Sequence, residues 1–232
     1  MAFTGFLDLS QARLVAQGGY RLVYEHDDYP GLLVKVLRPE FIDGNGQPIS
    51  KPGHREKRFK LGRRLGAFLP THREIAEFLA FRSKRKNQTV QWPIAKLYGF
   101  VETGIGLGLI TERLAGPDGG LAPTLSALVL TDRFSPRHKA ALRAFFQQLD
   151  DCHICMSDLN PRNLVFVGAA DGEGRFVAID GLGCTTFIPL QDWFPSINAR
   201  RNRRRSAKIW RFIANGGKKA GVEASGPSGG PI

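Results

Sequence analysis

The segment Met156-Ser157-Asp158-Leu159-Asn160-Pro161-Arg162-Asn163-Leu164-Val165-Phe166 is followed later by Ile179-Asp180-Gly181. These two segments are the strongest indication of the fold. An Asp, an Asn, an apolar strand and a second apolar strand ending in Asp-Gly stand in the order that a phosphoryl-transfer site requires. One carboxylate, Asp158, would orient the attacking hydroxyl, while Asn163 and Asp180 would hold magnesium against nucleotide phosphates. The alternative is that this segment is only an Asx turn, marked by the Asn160-Pro161 pair. The strands that follow and Asp180 disfavour this alternative.

A lysine inside an apolar strand is the second informative feature. Lys35 lies within Leu33-Val34-Lys35-Val36-Leu37, where an unpaired cation would be costly. The pattern is typical of a lysine that bridges nucleotide phosphates and a helix glutamate; the alternative is an edge-strand lysine that extends to water. Glu74 is the predicted partner and Glu77 the runner-up, because residues three apart on a helix can both face inward.

Glycines mark two turns and a connector. Gly18-Gly19 joins two predicted strands, and a turn without Cβ atoms lets backbone N–H groups approach phosphate oxygens; an ordinary turn is the alternative. The segment 104–108, Gly-Ile-Gly-Leu-Gly, precedes no helix, so it is interpreted as a hairpin turn. The Gly- and Pro-rich segment 114–123 is predicted to be a hinge.

Alternating and helical periodicities predict an α+β chain. The predicted helix after Thr71 has that residue as N-cap and Glu74 completing a capping box. Strands are predicted over 15–24, 32–37, 95–102 and 107–112, a hairpin turn over 169–174, and helices over 55–65, 72–86, 123–131, 136–153 and 198–214.

The composition of the chain limits the classes of protein to which it can belong. The 232 residues are 42% hydrophobic, which is enough to bury a core. No apolar run is long enough to cross a bilayer, and no secretory signal is recognised, so a cytoplasmic location is expected. Cys152 and Cys155 form C-x-x-C, but buried cysteines are a better interpretation than a metal or redox pair.

The net charge of +12 favours anionic partners. Its excess is concentrated near the C-terminus, in Arg200, Arg201, Arg203, Arg204, Arg205, Lys208, Arg211, Lys218 and Lys219. A basic helix carrying Trp210 is typical of proteins that bind the surface of an anionic membrane. Here Arg200–Arg211 would contact the inner membrane peripherally. A nucleic-acid partner is disfavoured, and a solvated helix end is the remaining alternative.

Over about residues 10–215 the chain resembles the YrbL family of PhoP regulatory network proteins, within the protein-kinase-like superfold. The resemblance rests on Gly18-Gly19-Tyr20-Arg21-Leu22-Val23-Tyr24, Val34-Lys35-Val36, His72-Arg73-Glu74, Asp158-Leu159-Asn160-Pro161-Arg162-Asn163-Leu164 and Ile179-Asp180-Gly181. It implies an α+β, protein-kinase-like two-lobed fold with a reduced C-lobe. The implied parts are an N-lobe over 1–114, a C-lobe over 115–215 and a disordered tail over 216–232.

The resemblance also implies ATP and Mg²⁺ as cofactors and a set of site residues. The implied catalytic residues are Asp158, Lys35 and Asn163; the implied metal ligands are Asn163 and Asp180; the implied nucleotide-binding residues are Gly18, Gly19, Lys35, Glu74, Glu112 and Leu114.

Departures from the kinase pattern shape the expected function. Met156 and Ser157 stand where His and Arg are usual, Asn160 replaces the usual Lys, and Arg162 is hypothesised to substitute for it. No Ala-Pro-Glu segment follows Gly181. These departures favour a small-molecule or glycolipid/sugar hydroxyl acceptor over a regulated protein substrate. The alternatives are a pseudokinase-like nucleotide-binding regulatory module and, third, a nucleic-acid- or membrane-binding protein.

Overall fold

A six-stranded, mainly antiparallel sheet dominates the N-terminal half of the computed structural model, which describes residues 5–43, 48–49, 65–84, 91–168, 174–184 and 194–218. The spatial order is β1-β5-β6-β4-β3-β2, and β1 and β5 pair in parallel. The strands are β1 Phe6–Leu7, β2 Arg13–Gln17, β3 Arg21–Glu25, β4 Leu32–Leu37, β5 Leu97–Thr103 and β6 Gly106–Glu112.

Strand β4 is an interior strand, between β3 and β6, and this position directs Lys35. Val34 and Val36 are buried in a cluster with Val101 and Ile110. Because successive side chains point to opposite faces of a sheet, Lys35 lies on the other face. The register places Lys35 beside Val23 of β3 and Leu109 of β6, so the edge-strand alternative for this lysine is wrong.

Helix α1, Leu69–Lys84, follows a short 3-10 turn at Gly66–Phe68. It begins three residues before the predicted start, because Pro70 suits the first turn of a helix. Thr71 is therefore inside the helix, and the predicted capping box is wrong: Glu74 is buried instead. The predicted end at 86 lies outside the described residues.

The C-terminal half combines helices with a two-stranded sheet. Its elements are α2 Leu125–Leu130, α3 Pro136–Asp151, β7 Leu164–Gly168, β8 Gly174–Ala178 and α4 Pro195–Ala214. One large apolar cluster joins them, with Leu142 and Phe145 of α3, Phe166 of β7 and Ile209 of α4 among its buried members. Phe78 of α1 belongs to the same cluster, so α1 connects this half to the sheet.

The predicted α+β architecture, with a sheet-rich half and a short helical half, is confirmed. Strand and helix bounds agree within a few residues, and the predicted hairpin turn lies between β5 and β6, with Gly106 at φ 107°. The predicted helix over 55–65, the turn over 169–174 and the tail over 216–232 fall wholly or largely outside the described residues. The lobe boundary at 114 stays a prediction.

We expect Leu142→Ala to lower the free energy of unfolding by about 2–5 kcal/mol, because it opens a cavity in the largest core. Leu142 is 0% exposed, whereas Leu79 on α1 is 57% exposed. Leu79→Ala is the matched control and should cost about 0.5 kcal/mol. Urea unfolding followed by circular dichroism measures both. Equal losses in the two variants would contradict this assignment of the core.

Candidate functional site

The loop between α3 and β7 carries Asp158 and is tied by its backbone to the turn that follows β8. The backbone N–H groups of Ser157 and Asp158 both donate to the Gly181 carbonyl, at 2.7 and 3.0 Å. In the other direction, the Ile179 N–H donates to the Asn163 carbonyl at 2.9 Å. These hydrogen bonds hold the Asp158 loop and the Asp180-Gly181 turn side by side.

Two asparagines orient the Asp158 side chain. Asn160 Nδ2 donates to Asp158 Oδ2 at 2.7 Å. Asn163 Nδ2 donates to the Asp158 backbone carbonyl at 2.9 Å and to Oδ2 at 3.3 Å. Asp158 is exposed, so its carboxylate is both held in place and open to solvent. The bonds of Asn163 use Nδ2 and leave its amide oxygen Oδ1 for another ligand.

Gly181 must be glycine for this arrangement. Its φ of 77° lies in the left-handed region, which favours glycine. A Cβ there would lie 2.3 Å from the Asp158 carbonyl oxygen and 3.0 Å from Asn163 Nδ2. The Asp-Gly turn, the backbone of Asp158 and the side chain of Asn163 are therefore in direct contact.

Lys35 forms an ion pair with Glu74 and so links β4 to α1. Lys35 Nζ lies 2.8 Å from Glu74 Oε1 and donates to the Ile179 carbonyl at 2.7 Å. Both side chains are buried. Glu77, the alternative partner, accepts instead from the backbone N–H of Cys155 at 2.8 Å, which fixes α1 against the start of the Asp158 loop.

Arg21 is a site residue that the sequence reasoning missed. From the first position of β3, its Nη1 donates to Glu74 Oε2 at 2.6 Å, and its Nη2 lies 2.6 Å from Asp180 Oδ1. The second contact is an ion pair between Arg21 and Asp180. The signal was present: like Lys35, Arg21 is a cation in an apolar strand, beside Leu22 and Val23. We call Arg21, Lys35, Glu74 and Asp180 the ion network.

The ion network keeps the Asp180 carboxylate charged. Burial alone would raise the pKa of Asp180, but the positive charges of Arg21 and Lys35 outweigh it and lower the pKa to about 2. The Gly181 N–H, which donates to Oδ1 at 2.7 Å, acts in the same direction. For Arg21, burial disfavours the charged form, but Glu74 and Asp180 reverse this and raise its pKa.

The remaining predicted nucleotide-binding residues are Gly18, Gly19, Glu112 and Leu114. Gly18 and Gly19 form the exposed turn between β2 and β3, where the Gly18 N–H donates to the Arg21 carbonyl at 2.8 Å. Glu112 ends β6, and its Oε2 accepts from the backbone N–H of Lys96 at 3.2 Å. Leu114 is buried in a cluster with Val165, Val177 and Ala95, against which Ile179 packs. Their role toward a nucleotide stays a prediction.

The predicted metal ligands fit Mg²⁺ chemically. Asn163 offers an amide oxygen, and Asp180 offers a carboxylate whose Oδ2 takes no part in the contact with Arg21. Mg²⁺ is held by one or two protein oxygens together with phosphates and water. In the described part of the chain, no group of three or more His, Cys, Asp or Glu side chains is placed to ligate a metal. Cys152 and Cys155 are buried, as predicted.

A second missed contact joins the basic helix to the Asp158 loop. Arg205 Nη1 of α4 donates to the Met156 carbonyl. The Ser157 hydroxyl donates to the Gly181 carbonyl at 3.0 Å. Met156 and Ser157 stand at the positions of the usual His and Arg. Met156 is buried, and Ser157 bonds to the Asp-Gly turn. Among the described residues, no helix combines the length and apolarity needed to span a membrane.

These features together define a protein-kinase-like fold. An antiparallel sheet carries a lysine paired to a helix glutamate, and a helical half carries an Asp-to-Asn loop bonded to an Asp-Gly turn. This order and contact pattern is the one that the kinase motifs specify.

The chain belongs to the family described as PhoP regulatory network protein YrbL, whose model matches residues 7–214. Uncharacterized YrbL proteins of Escherichia coli and Shigella flexneri are each 29% identical to it over 148 residues, which is 61% of this chain and 68% of theirs. A solved structure of the Mycobacterium tuberculosis PknI kinase domain matches with 18% identity and a TM-score of 0.42, covering 78% of this chain and 64% of that one.

We expect Glu74→Gln to lower the free energy of unfolding by about 3–5 kcal/mol, because it leaves two buried cations without their shared anion. Glu74 is 2% exposed, whereas Glu102 on β5 is exposed. Glu102→Gln removes the same charge and should change stability by about 0.5 kcal/mol. Urea unfolding at neutral pH compares them. Similar values for both would show that the ion network does not hold the sheet to α1.

The Asp180 pKa predicts a specific acid dependence of stability. A carboxylate with a lowered folded-state pKa stabilises the fold above its unfolded value of 3.8, and this contribution is lost as pH falls toward 2. Since the side chain is 42% exposed, solvent screening limits the effect to about 1 kcal/mol. The stability difference between wild type and Asp180→Asn should therefore shrink between pH 4 and 2.

Unfolding measured at several pH values tests this expectation. Asp151→Asn, at an exposed position on α3, serves as the control because it removes the same charge outside the ion network. A pH-independent difference for Asp180→Asn would show that Arg21 does not pair with this carboxylate in solution.

Proposed function

We propose that this protein is a phosphotransferase that uses ATP and magnesium to phosphorylate an alcohol group. The observation that carries the proposal is that Lys35, Glu74 and Asp180 form one ion network, which backbone bonds join to the loop of Asp158 and Asn163. Separate parts of the chain thus supply a phosphate-binding cation, two oxygen donors and an exposed carboxylate within one site. Membership of the YrbL family is compatible with this function.

The ATP phosphates would lie between Gly18-Gly19 and Lys35. A Cβ at Gly19 would meet nothing within 4 Å, and at Gly18 only an ordinary contact of 3.6 Å. The fold does not itself require glycine at either position, which is consistent with a need for close backbone approach to phosphate oxygens. Leu114, Val165 and Ala95 form a buried apolar cluster, against which Ile179 is only partly buried, and the adenine ring would pack on that side.

Magnesium would be held by Asn163 Oδ1 and Asp180, and when bound it neutralises charge developing on the phosphates. Arg21 lies against Asp180 Oδ1, so it sets how this carboxylate faces the phosphates. Since Arg21 stays charged, it also adds a second cation beside Lys35 at the same place.

Asp158 would accept the proton of the acceptor hydroxyl. The hydroxyl oxygen forms a bond to the γ-phosphorus, the bond from that phosphorus to the β,γ-bridging oxygen breaks, and ADP leaves with that electron pair. Asn160 and Asn163 hold the carboxylate for this step through their bonds to Oδ2. The exposed position of Asp158 leaves room for a small-molecule or glycolipid/sugar hydroxyl.

A regulatory module that binds nucleotide without turnover is the second candidate. Asn160, at the position of the usual lysine, gives its side-chain donor to Asp158 rather than offering a positive charge to the transferring phosphoryl group. Arg162 is exposed and would have to supply that charge. Binding without turnover in every acceptor screen would favour this candidate.

Two measurements separate the candidates: thermal stabilisation by ATP with and without Mg²⁺, and ADP formation. ATP at 100 times its Kd should stabilise the wild type by about 2.7 kcal/mol. Asp158→Asn should keep this stabilisation but lower turnover about 10²–10⁴-fold, as for loss of a general base. Asp180→Asn should lose the magnesium-dependent part of the stabilisation.

Asp151→Asn, at an exposed position on α3, should match the wild type in both measurements. If millimolar ATP and Mg²⁺ neither stabilise the wild type nor yield ADP, the phosphotransferase proposal is wrong.

A further inference from the structure

Helix α4 is fixed on the helical half by one of its faces. Asn198 and Asn202 are buried, and their Nδ2 atoms donate to the Ile154 carbonyl at 2.9 and 3.2 Å. Toward the other end, Ile209 is buried in the main core and Trp210 packs edge-on against Phe146 of α3, with ring centroids 5.9 Å apart. The opposite face of the helix therefore points outward in a defined orientation.

Every charged side chain on that outer face is basic. Its exposed cations are Arg200, Arg203, Arg204, Lys208 and Arg211. Their spacing of three and four residues places them on one side of the helix, over a length of roughly 16 Å. Pro195–Ala214 contains no acidic residue, and no ion pair joins these five cations to a carboxylate in the described part of the chain. We call this set the outer basic face.

An open cavity lies on the outer basic face. Its volume is about 520 Å³, and its described lining is Ser196, Arg200, Arg203, Arg204 and Ala207. None of these residues belongs to the ion network or to the Asp158 loop, so the cavity is separate from the proposed phosphoryl-transfer site. Three guanidinium groups around one cavity favour a phosphate-bearing ligand.

Exposed apolar side chains extend this face at the start of α4. Phe194 is 50% exposed and Ile197 is 36% exposed. Ile197 shares a stripe with Arg200 and Arg204, because the spacings of three and seven residues bring them to one side. Cations beside exposed aromatic and aliphatic groups on one helix are typical of a helix that lies in the head-group region of an anionic membrane.

We propose that the outer basic face, together with Phe194 and Ile197, binds the surface of an anionic phospholipid membrane. A lipid head-group layer offers both phosphates for the arginines and an apolar boundary for the two hydrophobic side chains. A nucleic-acid backbone matches the charge but does not cover the apolar groups. The proposal does not depend on catalysis; its consequence for the site is that Arg205, on the same helix, fixes this surface relative to the Asp158 loop through the Met156 carbonyl.

Vesicle co-sedimentation of the full chain tests the proposal. The vesicles contain either phosphatidylcholine alone or phosphatidylcholine with about 30% phosphatidylglycerol, which supplies a negative surface potential. We expect binding to the anionic vesicles only, weakened by salt. Arg200→Gln, Arg203→Gln and Arg204→Gln together should weaken binding about 100-fold, as estimated for three cations near a charged surface.

A matched control removes the same charge elsewhere. Arg133→Gln, Lys139→Gln and Arg143→Gln together neutralise three exposed cations outside α4 and should weaken binding by a few-fold only, through net charge. Phe194→Ser with Ile197→Ser leaves the charge unchanged and should weaken binding about 10-fold, because apolar insertion is lost. Circular dichroism confirms that each variant is folded.

Three outcomes would overturn the proposal. The first is no binding of the wild type to anionic vesicles at low salt. The second is equal weakening by the outer-face and control substitutions. The third is tight binding to duplex DNA that needs the three arginines but is unaffected by Phe194→Ser with Ile197→Ser, which would assign the surface to nucleic acid instead.

Discussion

Four paired charges hold the site together: the Arg21, Lys35 and Glu74 side chains are buried, and Asp180 is partly exposed. Glu74 accepts from both Lys35 and Arg21, and Arg21 reaches Asp180. Each carboxylate and each cation comes from a different element: α1, β4, β3 and the turn after β8. Burying the charge of Arg21, Lys35 or Glu74 without an opposite charge beside it would be costly. The same contacts that neutralise them also bring the sheet, the helix and the Asp-Gly turn to one place.

Backbone hydrogen bonds join the Asp-Gly turn, and with it the ion network, to the Asp158 loop. The Gly181 carbonyl accepts from Ser157 and Asp158, and the Asn163 carbonyl accepts from Ile179. Gly181 permits this approach because any Cβ would overlap the Asp158 carbonyl. These bonds fix the backbone of Asp158 against the Asp-Gly turn, while Asn160 and Asn163 orient its carboxylate. The position of the Asp158 loop therefore depends on the same turn that places Asp180 in the ion network.

Helix α4 shows how one element can serve two environments. Its inner face satisfies the Ile154 and Met156 carbonyls with Asn198, Asn202 and Arg205. Its outer face presents arginines to solvent. A basic helix would be a poor candidate for a core element by composition alone, yet its polar inner residues replace backbone partners that the loop lacks. The helix is fixed by hydrogen bonds as much as by apolar burial.

Local sequence patterns were enough to predict most helices and strands and to name most of the candidate site residues, because periodicity and motif spacing are local properties. Lys35, Asp158, Asn163 and Asp180 could be named from their strand and loop contexts alone. The three-dimensional structure was needed to show that α1 starts at Leu69, so that Thr71 lies inside the helix, and that Lys35 pairs with Glu74 rather than Glu77. It alone brought Arg21 to Glu74 and Asp180, because partner choice among buried charges is set by distances between residues far apart in the chain.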